Sequence, residues 1–259
     1  MSAAALASKL TVRDAGMSYG DLVAIDGCNL DIAPNTIVSI VGPSGCGKTT
    51  LLWAMSGLHK LTRGDILLDG RAITGPHPDI GLVFQEANLL PWRNLIDNIL
   101  FPFEIKRQSP DRDWINHLLD RCGLLGFEKN FPRELSGGMQ QRASIVRALS
   151  LRPQVLLMDE PFGALDAFTR EEMNRLVEEI WLETKTTIVF ITHSIEEAIF
   201  LSDRVIVLTK RPGRVQSDYT VPFVRPRSLE TMASKPVFDL TNLIKADIYG
   251  IKPTAAAAE

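Results

Sequence analysis

Short apolar runs, separated by polar and glycine-containing turns, are the dominant pattern along the 259 residues of the chain. Nearly every position is apolar in four of these runs, which is typical of strands that are covered on both faces. The four runs span 37–41, 155–159, 187–192 and 204–208. Amphipathic segments lie between them, so the sequence predicts an α/β fold with a parallel sheet and helices on both of its faces.

The clearest helices are predicted over 111–122, 140–149 and 169–183. In the last of these, Met173 and Leu176 belong to one apolar face at helical spacing. Helical signals run from about residue 94 to residue 150 without a strand between them. This stretch is therefore expected to be an insertion into the α/β core.

Both ends of the chain differ from this pattern. Residues 10–32 alternate loosely around three glycines and predict an antiparallel hairpin. After Arg211 the pattern weakens and predicts an irregular extension with some helix near residues 237–244. We predict a domain over 8–210, with a helical subdomain at about 88–150 inserted in its core, and a C-terminal extension over 211–259.

The formal net charge of −3 gives the chain no strong basic field. We therefore expect no nucleic-acid partner. No stretch approaches the roughly 18 apolar residues that a membrane span requires. The three cysteines are not spaced like metal ligands, and a reducing compartment fits them best.

A phosphate-binding loop follows the first apolar run. Its residues are Gly42, Pro43, Ser44, Gly45, Cys46, Gly47, Lys48 and Thr49, with Thr50 next in the chain. Glycines allow consecutive backbone N–H groups to turn inward around an anion, and a helix starting near Thr49 would point its positive end at the same place. Lys48 would reach the β- and γ-phosphates, and the Thr49 hydroxyl would contact a Mg²⁺ ion. The alternative is a glycine-rich turn without a ligand.

Several polar residues follow other predicted strands. Asp159 and Glu160 come after the run at 155–158, where an acid can hold Mg²⁺ and a second carboxylate can polarise a water molecule. His193 follows the run at 187–192 and could bind the γ-phosphate, although a lone histidine is as often structural. Gln85 ends a predicted strand at 81–84 and could touch both metal and water, or simply be solvated.

A second glycine-rich segment, Ser136, Gly137 and Gly138, precedes the predicted helix at 140–149. Ser136 can cap that helix, and the glycines expose its N–H groups to an anion. The alternative is a helix cap with no ligand.

Taken together, these motifs resemble the nucleotide-binding subunit of an ATP-binding-cassette (ABC) transporter over about residues 10–215. Gln85 is similar to the family's Q-loop, residues 135–140 to its signature motif, and His193 to its switch histidine. Gly163, Ala164, Leu165 and Asp166 are similar to its D-loop. Tyr19 is similar to the aromatic residue that stacks on adenine.

The resemblance implies a P-loop NTPase core with an antiparallel β subdomain and an inserted helical subdomain. It implies an ATP hydrolase with Thr49, Gln85 and Asp159 around Mg²⁺, and with Lys48, Gln85, Glu160 and His193 in catalysis. Two such chains would pair head to tail as identical or different cassettes. Ser136, Gly137, Gly138 and Asp166 of one chain would then complete the ATP site of the other.

Residues 75–93 and 211–214 are similar to the importer branch that handles nitrate, sulfonates and taurine. The branch implies a transmembrane permease, a substrate-binding protein reached through the complex, and a peripheral position on the cytoplasmic face of the inner membrane. Residues 89–92 would form the docking patch for the permease, or would pack inside the helical subdomain. The alternatives are an importer cassette for another small organic solute, a silent regulatory cassette, or a soluble ABC ATPase that acts on nucleic acid.

Overall fold

The computed structural model describes residues 8–251. The chain forms two compact units, Met1–Pro76 with Val189–Glu259 (unit 1) and His77–Ile188 (unit 2). Residues 252–259 of the predicted extension lie outside the described residues. The predicted bounds at 88–150 and 211–259 remain predictions.

The described elements are, in chain order, β1 (Leu10–Tyr19), β2 (Leu22–Ile32), β3 (Ile37–Val41), α1 (Lys48–Met55), β4 (Arg63–Leu68), β5 (Arg71–Ala72), β6 (Ile80–Val83), α2 (Leu95–Lys106), α3 (Arg112–Arg121), a 3-10 turn (Pro132–Glu134), α4 (Gly137–Leu149), β7 (Val155–Asp159), α5 (Ala167–Thr184), β8 (Thr187–Ile191), α6 (Ile195–Leu201), β9 (Arg204–Leu208), β10 (Val215–Thr220), α7 (Leu229–Met232) and α8 (Lys235–Tyr249). No helix in this described part of the chain is both long enough and apolar enough to cross a bilayer.

Unit 1 contains an antiparallel sheet in the order β2-β1-β4-β5. Leu10 of β1 pairs with Ile32 of β2 and with Leu68 of β4. The predicted hairpin at 10–32 is therefore present, with irregular register between Val12 and Ser18. These strands combine buried and exposed positions, as expected for a sheet with one covered face.

The same unit contains β3 and β9 as a parallel pair, with Val38 opposite Arg204 and Val41 opposite Val207. All five residues of β3 are buried, because apolar side chains point to both of its faces. Strand β10 adds to β9 in antiparallel direction. The loop after β3 is therefore held beside the end of β9.

The C-terminal segment of unit 1 is more regular than the sequence predicts, because β10 and α8 are formed where an irregular extension with a short helix is expected. Val237 and Ile244 of α8 pack into an apolar cluster with residues of α6 and β9. Asp247 of α8 accepts hydrogen bonds from Ser217 Oγ at 2.5 Å and Tyr219 Oη at 2.6 Å. Burial and the bond to Asp247 raise the pKa of Tyr219, which keeps its hydroxyl a donor.

Unit 2 contains the parallel pair β6 and β7, with Ile80 opposite Val155 and Val83 opposite Met158. Strand β7 is buried at every position, as its apolar run predicts. Strand β6 ends at Val83, so the prediction that Gln85 lies at the strand end is wrong by two residues. Gln85 lies in the turn that follows, where its side chain is exposed.

Replacing Ile244 with alanine should destabilise unit 1, because Ile244 is fully buried beneath α8. Truncating a buried isoleucine costs about 2–5 kcal/mol in the free energy of unfolding. The urea midpoint, followed by fluorescence, checks this expectation. Phe238→Ala on the same helix is the control, since Phe238 is 64% exposed and its loss should change stability by less than about 0.5 kcal/mol. Equal midpoint shifts in both variants would contradict the packing of α8.

Candidate functional site

The loop between β3 and α1 has a backbone that only glycine adopts easily. Gly45 has φ +72° and Gly47 has φ +101°, both in the left-handed region. A Cβ on Gly42 would lie 2.9 Å from the carbonyl oxygen of Leu208, and a Cβ on Gly47 would lie 2.9 Å from that of Ala24. The glycines are therefore required by conformation and by close packing.

Lys48 lies over this loop. Its Nζ donates hydrogen bonds to the carbonyl oxygens of Gly42 at 3.0 Å and Pro43 at 3.2 Å. The residue is only 4% exposed, so its charge is concentrated at the loop and weakly screened by water. Its position at the start of α1 adds to the positive end of that helix.

The remaining loop residues differ in exposure. Ser44 and Gly45 are exposed, whereas Cys46 is buried. Burial raises the pKa of the Cys46 thiol, which therefore stays neutral and adds no negative charge beside the loop. The N-cap Gly47 offers no side chain to α1, so an anion can satisfy the first N–H groups of that helix. Thr49 and Thr50 lie half-buried in its first turn.

Tyr19 is the last residue of β1 and is 45% exposed. Its hydroxyl forms a hydrogen bond of 3.0 Å with Nδ1 of His59, which the sequence analysis missed. The His59 ring contacts Trp53 edge to face at 5.0 Å between centroids. Trp53 lies on α1, so this chain of rings connects Tyr19 to the helix that follows the loop.

His193 is exposed directly after β8. The residues around it are fixed by hydrogen bonds, since Thr192 Oγ1 donates to Glu197 at 2.5 Å and Ser194 caps α6 by accepting from the backbone N–H of Glu197. The histidine is therefore presented from a rigid junction. The phosphate loop, Tyr19 and His193 all belong to unit 1.

In unit 2, Asp159 ends β7 and is 6% exposed. Glu160 follows with φ +45°, in the left-handed region, as at seven other non-glycine positions among the described residues. The N–H of Gly163 donates to the carbonyl oxygen of Glu160 at 3.1 Å and closes the turn. A Cβ on Gly163 would lie 3.6 Å from Nε2 of Gln85, so unit 2 brings the Gln85 amide beside the turn that carries Glu160.

Helix α4 holds the segment that carries Gln85. It does so through two residues, Gln141 and Arg147, that the sequence motifs do not single out. Gln141 Nε2 donates to the carbonyl oxygen of Phe84 at 3.1 Å. Arg147 donates to the carbonyl oxygens of Ala87 and Asn88, both at 2.8 Å. In the sequence, the contact of Gln141 is indicated only by the presence of a polar residue on the otherwise apolar face of a helix.

Ser136 is the N-cap of α4 and accepts a hydrogen bond of 3.2 Å from the N–H of Met139. Ser136 and Gly137 are exposed, and a Cβ on Gly138 would lie 2.9 Å from Cγ2 of Thr169. The predicted cap is therefore formed, and the helix start is open to solvent.

Asp166 caps α5 by accepting from the N–H groups of Phe168 and Thr169, both at 3.1 Å. Its carboxylate also accepts from the Thr169 hydroxyl at 2.7 Å, and these bonds lower the pKa of Asp166. The carboxylate is ionised at neutral pH and stabilises the N-terminus of α5.

Among the described residues, no group of three or more histidine, cysteine, aspartate or glutamate side chains is arranged to hold a metal ion.

Comparison with known proteins identifies the family. Residues 25–163, more than half of the chain, match the sequence family described as ABC transporter. The chain is 47% identical over 207 residues to the taurine import ATP-binding protein TauB of Roseobacter denitrificans, covering 79% of this chain and 77% of that protein. It is 43% identical over 222 residues to the nitrate import ATP-binding protein NrtD of Synechococcus elongatus, covering 84% and 81%.

Solved structures of ABC transporter cassettes are also similar to this chain. A part of the cbiONQ ABC transporter complex from Clostridium perfringens superposes with a TM-score of 0.76 at 28% identity, covering 91% of this chain and 95% of that one. A dimeric bacterial ABC transporter cassette gives a TM-score of 0.73 at 32% identity, covering 83% and 100%. A dimeric post-hydrolysis cassette with bound ADP and phosphate gives 0.72 at 31% identity.

The predicted fold class, a P-loop NTPase core with an antiparallel β subdomain and an inserted helical subdomain, is thereby confirmed. The chain belongs to the ABC transporter family, as a subunit that binds and hydrolyses ATP.

Proposed function

We propose that this subunit drives the import of a small solute such as taurine, another sulfonate or nitrate through a membrane permease. Relatives named for taurine or nitrate import are 43–47% identical to the chain over 79–93% of its length. The observation that carries the proposal is the glycine-rich loop with Lys48 buried over it, since this loop would bind the ATP that drives import.

In this proposal the backbone of residues 42–47 surrounds the phosphates of ATP, with Lys48 against the β- and γ-phosphates. Thr50 and the first turn of α1 contribute further donors. The exposed ring of Tyr19 stacks on adenine, and its bond to His59 fixes the ring orientation.

Each unit offers the hard oxygen ligands that Mg²⁺ prefers, namely the hydroxyl of Thr49 in unit 1 and the amide oxygen of Gln85 and the carboxylate of Asp159 in unit 2. When bound, the ion would supply positive charge against the β- and γ-phosphates. The Glu160 carboxylate polarises the attacking water, and His193 contacts the γ-phosphate. The position of Glu160 directly after Asp159, at the carboxyl end of the buried strand β7, supports this role.

Two cassettes together form the functional dimer, as in the dimeric cassettes to which the chain is similar. The start of α4, where Ser136 and Gly137 are exposed and Gly138 is half-buried, supports binding of the γ-phosphate of the ATP held by the opposite cassette. Asp166 lies at the start of α5 and would face the same seam. ATP then favours the closed dimer, and loss of the γ-phosphate favours the open one.

The permease would dock at residues 89–92. Trp92 is 71% exposed, which supports a contact surface rather than a core position. The loop beneath it is rigid, because the fully buried Asn98 donates to the carbonyl oxygens of Leu90 at 3.1 Å and Arg93 at 3.0 Å. A substrate-binding protein and a peripheral position at the cytoplasmic face of the membrane complete the proposal.

Replacing Lys48 with alanine should weaken ATP binding at least about tenfold, because hydrogen bonds from a charged group contribute about 1.5–3 kcal/mol. Titration calorimetry with ATP measures the change. Lys60→Ala, an exposed lysine beyond the loop-bearing helix, should retain the affinity of the unmodified protein. Unchanged ATP affinity in the Lys48→Ala variant would show that this loop does not bind the nucleotide.

Replacing Glu160 with glutamine should lower kcat by about 100-fold or more, since the amide cannot accept a proton from water. ATP binding should persist, and the closed dimer should accumulate on size-exclusion chromatography with light scattering. Glu171→Gln, a surface position on α5, is the matched control. A Glu160→Gln protein that hydrolyses ATP normally, or that stays monomeric with ATP, would argue against this assignment.

Replacing Trp92 with alanine should abolish the stimulation of ATPase activity by the reconstituted permease and leave the activity of the isolated subunit unchanged. Ile105→Ala, an apolar residue of α2 that is 67% exposed, should leave the stimulation intact. Normal solute uptake in vesicles that carry the Trp92 variant would show that the permease docks elsewhere.

A further inference from the structure

The turn at residues 211–214 lies against the phosphate loop. Nε of Arg211 donates a hydrogen bond to the carbonyl oxygen of Gly45 at 3.0 Å. Gly45 is the exposed glycine of the loop, with φ +72°. The guanidinium therefore holds the loop at the point where its own backbone is least restrained by packing.

Gly213 contacts the loop one peptide unit further along. A Cβ on Gly213 would lie 2.1 Å from the carbonyl oxygen of Cys46, a distance that no side chain can occupy. Gly213 is buried there, and its N–H donates to the carbonyl oxygen of Ala24 at 2.9 Å. The turn and the loop therefore meet backbone to backbone.

The turn itself is well fixed. Thr209 Oγ1 donates to the carbonyl oxygen of Pro212 at 2.8 Å, and the N–H of Arg214 donates back to Thr209 Oγ1 at 3.0 Å. The carbonyl oxygen of Gly213 accepts a hydrogen bond from the N–H of Asp26 on β2 at 3.1 Å, and this backbone bond ties the turn to β2. The exposed Arg214 side chain pairs with Asp26, which also pairs with Arg63 at 3.0 Å, and an exposed ion pair adds little to this support. A turn tied both to β9 and to β2 can act as a fixed support.

These contacts bear on the orientation of the loop amides. In a trans peptide the C=O and the N–H point in opposite directions. Holding the Gly45 carbonyl outward, toward Arg211, turns the N–H of Cys46 inward across the loop, where it donates to the carbonyl oxygen of Pro43 at 3.3 Å. A phosphate oxygen that enters the loop would replace this acceptor. The contact of Gly213 with the Cys46 carbonyl does the same for the N–H of Gly47.

We propose that Arg211 and Gly213 are positioning residues for ATP binding, which orient the N–H groups of Cys46 and Gly47 toward the phosphates. The inference rests on the proposed role of the phosphate loop. It assigns a role in the nucleotide site to a turn that lies more than 160 residues along the chain from that loop.

The experiment compares steady-state ATPase activity in four single variants: Arg211→Ala, Gly213→Ala, Arg214→Ala and Lys48→Ala. Arg211→Ala and Gly213→Ala should raise KM for ATP about three- to tenfold, the effect of one modest hydrogen bond, with kcat at saturating ATP within twofold. Arg214→Ala removes an equal charge from the same turn without touching the loop, and Asp26 keeps Arg63 as partner. Its KM should stay within twofold of the unmodified protein.

The exposed Arg211→Ala variant should fold normally, which thermal unfolding verifies, so the test does not depend on how well Gly213→Ala folds. Unchanged KM in Arg211→Ala, an equal rise in Arg214→Ala, or a fall in kcat with KM unchanged overturns the positioning role. Lys48→Ala separates this failure from a failure of the proposed function, since retention of ATP affinity in that variant would refute the loop itself.

Discussion

The proposed ATP site depends on close main-chain packing in the loop between β3 and α1. Gly42 and Gly47 approach the carbonyl oxygens of Leu208 and Ala24 so closely that no Cβ fits. The Lys48 side chain lies over the loop and donates hydrogen bonds to two of its carbonyl oxygens. The conformation of the proposed anion site is therefore a product of main-chain packing, to which the side chain of Lys48 adds a positive charge.

Unit 2 uses a related arrangement. Gln141 and Arg147 of α4 hold backbone carbonyls of the segment after β6, so the helix that begins at Ser136 also fixes the neighbourhood of Gln85. Burial lowers the pKa of Arg147, which makes its two hydrogen bonds necessary compensation for a desolvated charge. The start of α4 and the turn that contains Gln85 are therefore linked by hydrogen bonds within unit 2.

Local patterns predict much of this protein. The buried strands at 37–41 and 155–159 and the cap at Ser136 are present as their sequences indicate, because each depends on neighbours in the chain. The contacts of Arg211 and Gly213 with the loop are not predictable in this way, since they join residues far apart in sequence. For the same reason, the sequence does not predict the hydrogen-bond partners of Gln141 and Arg147, nor the regular secondary structure of the C-terminal segment. The roles of the site residues themselves remain predictions.

The C-terminal helix α8 covers one face of the sheet in unit 1. Strand β10 is the outermost strand beside β9, and Asp247 of α8 accepts hydrogen bonds from the side chains of Ser217 and Tyr219 on it. A chain that ended before α8 would expose the apolar cluster that packs around Ile244. The helix therefore also removes from water an apolar patch on which other molecules could associate.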